Sequence, residues 1–297
     1  MPPLRYDPRM ALTFLMLATG LVAAPLQSDH QFSRLWSGPA SPASLIHRDA
    51  ADQEPYPNMY RRFEASLGMT AFGHFNSAVR VDSEFLVGAN LDLEDLLGLD
   101  ESTSAARLDA SYAFSPRHRV DLSIFDIQRD GSSTIGKDVQ VGEVLIPAGD
   151  VATAFDTLVV KGVYRYNFVA DARTAIGASI GLYTMGIRFA MDSQDFNLSE
   201  SLRVTAPLPV IGLHGEYALS EKWKLLASTE FFQLHLSNFD GFMADAQLAL
   251  EHDLFDHLGW GVSLNNFILN AAVENSPLSA DVEYAYQGIF VYLRGYL

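Results

Sequence analysis

The sequence predicts an all-β protein: a single transmembrane, antiparallel, up-and-down β-barrel of about ten strands with one short helix in its first external loop. Three observations predict it. From residue 61 onward, polar and apolar residues alternate with a period of two. The connections between alternating segments are short and long by turns, as in barrels with short periplasmic turns and longer external loops. The chain starts with an export-like segment, and no later apolar run reaches the roughly 20 residues a helical span needs.

The elements follow in order. Arg5 and Arg9 precede an apolar run from Met10 to Ala24, followed by small residues, which reads as a signal peptide over 1–24. Residues 25–60, with "SGPASPAS" and "DQEPYPN", read as a flexible periplasmic linker. The barrel then occupies 61–297. Strands are expected at about 61–80, 102–115, 118–129, 153–169, 172–190, 204–219, 222–238, 241–253, 257–273 and 281–297.

The clearest hairpin is 106–124. Leu108, Ala110, Tyr112 and Phe114 share one face, and Arg107, Asp109 and Ser111 the other. "SPRHR" turns the chain, and Val120, Leu122 and Ile124 then oppose Arg119, Asp121 and Ser123. The alternation slips at Phe125–Asp126 and Phe231–Phe232, which predicts two β-bulges. Aromatics beside the short turns (Tyr112, Phe114, Tyr166, Phe168, Tyr217, Trp223, Trp260) form the expected girdle, so the uncharged face is assigned to lipid and the charged face to the lumen.

Composition narrows the function. The 297 residues carry a net charge of −16 without a basic run, which argues against nucleic acid as a partner. The chain has no cysteine, so disulfides, thiolate metal sites and a cysteine nucleophile are excluded. No cofactor motif is visible, and none is expected.

The stretch from Phe63 to Leu297 resembles the β-barrel outer-membrane proteins of Gram-negative bacteria. "LDLEDLLGLD" (91–100) followed by "RLDASYAFSPRHRVDLSIFDIQRDG" is similar to a poorly characterised proteobacterial family of small barrels. The resemblance implies residence in the cell outer membrane, with outer-membrane lipid and lipopolysaccharide as surroundings and the barrel-assembly machinery as a partner in biogenesis. It brings no established activity. The C-terminus resembles the barrel-assembly signal in part: Ile289, Val291 and Leu293 alternate, Leu297 ends the chain, and Gly295 breaks the series.

Four groups carry candidate chemistry. The first is a lumen polar network of Arg107, Asp109, Arg119, Asp121, Lys161, Arg165, Glu216, Glu230, Asp245, Glu251 and Arg294, expected to pair across strands because unpaired buried charge is costly. His74 and His214 read as lone pore-facing groups. The second is His235 with Ser237, two apart on one face, a weak base–nucleophile candidate similar to the pair in lipid A deacylase barrels but without a visible orienting carboxylate. The third is Asp92, Glu94 and Asp95, weak metal ligands, or else the start of a short helix capped by Asp92, ended by Gly98 and packing Leu93, Leu96 and Leu97. The fourth is a set of rim groups, Asp126, Asp130, Asp156, Asp240 and His235. Ten-stranded omptin proteases use paired acids and Asp/His at that level, but no omptin motif is present. "EHDLFDH" (251–257) reads as a solvated turn. The expected function is a charge-filled, porin-like outer-membrane barrel with a structural or narrow-pore role and no catalysis. The alternatives are a lipid-modifying enzyme of the lipid A deacylase type and an adhesion or ligand-binding barrel acting through external loops.

Overall fold

The structure is a computed structural model. It describes residues 55–83, 86–135, 139–141, 144–146, 149–193, 198–236, 239–275 and 278–297. The signal peptide, most of the linker and Ser237 lie outside the described residues.

In chain order the elements are β1 (Phe63–Ser83), β2 (Leu86–Asp92), helix α1 (Leu93–Leu97), β3 (Thr103–Ser115) and β4 (His118–Ile135). Then come β5 (Val139–Val141), β6 (Val144–Ile146), β7 (Gly149–Ala170), β8 (Thr174–Ser193) and β9 (Leu198–Ala218). β10 (Trp223–Leu236), β11 (Phe239–Phe255), β12 (Leu258–Asn275) and β13 (Leu278–Tyr296) complete the chain. Ten of these form one ring in the order β13-β12-β11-β10-β9-β8-β7-β4-β3-β1, closed by β13 on β1. Every neighbouring pair is antiparallel, and the closing ladder runs from Glu64↔Tyr296 to Ser83↔Leu278. Closure pairs the first barrel strand with the last, as a sheet in lipid requires.

The faces sort as the alternation predicts near the short turns. Leu67, Met69, Leu108, Leu122, Ile124, Ile180, Ile211, Val291 and Leu293 point outward and are exposed. Their lumen-side neighbours Arg107, Lys161, Glu216, Glu251 and Arg294 are buried. A barrel that exposes leucine and buries arginine suits lipid outside. The outward apolar belt covers about nine residues of a strand, Pro209 to Tyr217 on β9 for example. At ~3.3 Å per residue and a tilt of ~40°, that is ~23 Å, close to the height of an outer-membrane belt.

Four expectations change. Both predicted bulges are absent: the β4–β7 and β10–β11 registers run unbroken through Phe125 and Phe231. Phe125 and Phe232 simply face the lumen, buried. The register shifts instead on β1 between Gly73 and Asn76, where His74 takes a positive φ of 54° and is exposed, not pore-facing, and beside the short turns at Ala113/Ser115, Asn167/Val169 and Asp253/Phe255. The long loop expected after the fifth barrel strand is largely ladder, since β8–β9 pairing continues to Ser193↔Leu198. The end of the predicted linker is packed structure. Tyr56 N–H donates to the Ala172 carbonyl (3.0 Å), and Asn58 Nδ2 donates to the Ser220 carbonyl (2.9 Å). Met59 packs on Ala175 and Ala218 in the barrel mouth, and Tyr60 Oη donates to the carbonyls of Asp171 (2.6 Å) and Thr174 (3.0 Å). Burial, then the charge of Asp171, push the Tyr60 hydroxyl above its usual range. Residues 55–60 therefore form a strap across the short-turn end.

Candidate functional site

The lumen is built in tiers. Nearest the short turns, Arg294 Nη1 pairs with Glu251 and Nη2 with Asp253 (2.5 Å), and Tyr292 Oη donates to Glu251 (2.9 Å). Lys224 Nζ lies 3.6, 3.7 and 3.4 Å from Glu64, Glu216 and Glu251. Arg119 joins Asp121 (2.6 Å) to Glu216 (2.7 Å), and Arg165 meets Asp121 at 2.5 Å. His214 Nε2 donates to Asn167 Oδ1 (2.7 Å) on the same side. One step further in, Lys161 holds Asp245 (3.0 Å) and Glu230 (3.4 Å), while Arg107 Nε donates to Asp109 (3.0 Å). A cavity of about 100 Å³ lies between these groups, lined by Arg107, Asp109, Arg119, Lys161, Arg165 and Gln247 among others.

All eleven residues expected in the lumen network make ion pairs there. Four more complete it: Arg61, Glu64, Lys224 and Asp253. Lys224 and Glu64 follow from the alternation. Asp253 is the miss, because it belongs to "EHDLFDH", read as a solvated turn. Arg61 pairs with Asp253 and stacks 3.2 Å over the Tyr296 ring, covering the β11–β13 side of the mouth. Arg62, by contrast, lies outside and donates to the Tyr112 hydroxyl (3.1 Å). His252 packs outward against Trp223, 4.4 Å between ring centres. In total eight carboxylates face seven cations, so the tier is nearly neutral although the chain carries −16. A balanced lumen presents little net field by which to select one ion sign.

The outer half of the lumen is apolar. Phe72, Phe75, Phe125, Phe155, Tyr183, Phe267, Tyr284 and Tyr286 pack together inside the wall. Phe267 stacks on Tyr286 at 5.0 Å, and Phe72 meets Tyr286 edge-on at 5.1 Å. The sequence reading missed this tier because it took charge as the mark of the lumen face. The two slips in alternation are the signal: on β4 and β10 they fall where the interior changes from ionic to aromatic.

Helix α1 caps the aromatic tier. Leu93, Leu97 and Leu99 are buried in the aromatic cluster. Glu94 accepts from Arg129 Nη2 (2.5 Å) and from the Ser77 N–H (3.0 Å). Arg129 also donates to the Asp100 carbonyl (2.9 Å) and to Ser77 Oγ (3.0 Å). Of the three weak metal ligands, Glu94 is thus turned to Arg129 and Asp95 is exposed, while the side chain of Asp92 lies outside the described residues. Gly98 ends the helix with φ of +63°, and a Cβ there would sit 2.4 Å from the Ser132 carbonyl oxygen. The leucine face points into the barrel, not to the membrane edge.

At the rim, His235 and Asp240 face outward on the paired ends of β10 and β11, with Nδ1 and Oδ2 3.0 Å apart. The sequence placed both groups at the rim; antiparallel pairing sets Asp240 directly opposite His235. Asp126 and Asp156 are outward on β4 and β7, four and three strands from β10 around the ring, so of the rim acids it is Asp240 that lies beside His235.

No family model and no curated sequence matches the chain. Solved structures do. The outer-membrane protease OmpT of Escherichia coli aligns with a TM-score of 0.50 at 8% identity, over 80% of this chain and 97% of that one. The fold is that of an outer-membrane β-barrel. OprG of Pseudomonas aeruginosa (TM-score 0.34, 13% identity, 81% and 99% covered) and Ail of Yersinia pestis (0.30, 13%, 79% and 98%) are also found. At these identities the likeness extends to architecture alone.

Proposed function

We propose that this protein is a structural barrel of the outer membrane whose lumen is closed to solute flow. One observation carries the reading: a charge-balanced ionic tier is covered below by residues 55–60 and Arg61, and above by the aromatic tier and α1. Outer-membrane lipid and lipopolysaccharide are its surroundings, and the barrel-assembly machinery its partner in insertion. The narrow-pore version fits less well, because the aromatic tier and the leucines of α1 stand over the ionic cavity. Planar-bilayer recordings of the refolded protein test it: a flat baseline is expected, and stable unitary steps would overturn it.

The His235–Asp240 pair supports a second reading, a lipid-acyl hydrolase at the rim with His235 as base and Ser237 as nucleophile. Incubation with lipopolysaccharide, followed by mass spectrometry of lipid A, tests this; unchanged acylation removes it.

A further inference from the structure

The ring has one seam. The β9–β10 ladder starts at Ala218↔Lys224 and ends at Ile211↔Phe231. Both strands continue beyond that point: β9 stays paired to β8 as far as Leu198, and β10 to β11 as far as Leu236. Among the described residues no register joins the two hairpins above Ile211. The sequence supplies the cause. Pro209 and Pro207 follow on β9, and proline has no N–H to give a neighbouring strand. The β3–β4 ladder also stops early, at Arg107↔Phe125, but there the wall is carried on by the Leu99↔Gly131 bridge and the Asp100 N–H to Asp130 carbonyl bond (3.1 Å).

Height and lining give the seam a meaning. It starts just above Ile211, which is 66% exposed, at the outer margin of the apolar belt that ends at Pro209. Open backbone is not tolerated inside hydrocarbon, so this is as low as such a gap can sit. The inner wall beside it is Leu208, Val210, Phe232 and Met243, all part of the aromatic tier. Leu234, on the lumen side of β10, is 39% exposed, so apolar lumen surface is reachable at this place. The prolines remove donors that a docking strand would need, which disfavours strand addition at the β9 edge.

We infer that the β9–β10 seam is a lateral port through which one acyl chain of a surrounding lipid reaches the lumen mouth and lies against Leu234, over the buried Leu208, Val210 and Phe232. The seam is continuous with the lipid-facing belt, and its wall is apolar. The unpaired backbone of β10 is placed to hydrogen-bond the polar head. The inference rests on the membrane placement proposed above.

The protein, reconstituted in phosphatidylcholine liposomes with a photoactivatable diazirine on one acyl chain, tests both separately. Adducts on Ile211 and Leu213 report membrane placement, and adducts on the lumen-side Leu234 report the port. With no native cysteine, Pro209→Cys with Gln233→Cys, which continue the register, closes the seam by a disulfide or a short bis-maleimide. The lumen-side adducts should then fall to background while the outward ones persist. Pro207→Val with Pro209→Val, which restores two N–H donors, should lower them in the same direction. Outward adducts without lumen-side ones, lumen-side adducts indifferent to closure, or a dimer cross-linked through Phe232–Leu236 would each overturn the inference.

Discussion

The two halves of the lumen solve one packing problem with opposite chemistry. Both lie inside the same ten-stranded wall, yet near the short turns the wall encloses arginines and carboxylates, and toward the far end it encloses phenylalanine and tyrosine rings. The ionic half stands behind the lipid-facing belt, where the outside can only be apolar. Its charges are held by direct pairs, and a small cavity remains among them. The aromatic half reaches the far end of the wall, and it is filled as the core of a soluble protein is filled. Lumen polarity is therefore not a property of the barrel as a whole but of each tier.

Four changes would break or sharpen that contrast. The largest effect is expected from Arg294→Ala, which takes one cation from each of Glu251, Asp253 and Glu64 and leaves them to Lys224 and Arg61. Breaking buried ion pairs by removing one partner costs about 3–5 kcal/mol, measured as a lowered urea midpoint of the refolded protein in liposomes. Arg294→Lys should recover part of this, because an ammonium keeps the charge and loses the fork. Phe267→Ala removes the ring between Tyr183 and Tyr286 in the other half. A loss of about 3–4 kcal/mol is expected from the cavity, together with binding of small apolar probes, which the Arg294 variant should not gain. Equal probe binding by both variants would erase the distinction between the tiers.

Smaller effects are expected at the covers. Gly98→Ala places a Cβ against Ser132 at a positive φ and should cost more than about 1 kcal/mol. Its reading is faster proteolysis around residues 91–100 with the heat-modifiability of the barrel retained. Tyr60→Phe removes the hydroxyl that ties the strap to Asp171 and Thr174. It should cost about 1 kcal/mol and leave bilayer conductance at baseline; loss of thermal stability as large as that of Arg294→Ala would mean that the strap, not the ionic tier, holds the short-turn end.

Some elements were legible because one local rule decides them. Alternation of Arg107, Asp109 and Ser111 against Leu108, Ala110 and Tyr112 can be satisfied only by a strand with two different faces. The glycine stop at Gly98 and the leucines of α1 follow from helix chemistry alone. The bulges were misplaced because a phenylalanine at an inward position looks, in sequence, like a slip in phase. Its correct reading needs the neighbouring strands, which supply Phe72, Tyr183 and Tyr286 at the same height. Asp240 and His235 were both legible as rim groups, but their direct pairing needed the register of β10 on β11.

By itself, then, the sequence determined the strand period, the ring of about ten strands, the charged residues that point inward near the short turns, and the prolines that deny β10 a partner. Those are properties of single strands, and a period of two or a missing N–H is written in consecutive residues. The tertiary structure alone decided the tiering of the lumen, the strap beneath it and the place where the wall parts. Each depends on the register between strands, and register brings together residues as distant in the chain as Phe72 and Tyr286.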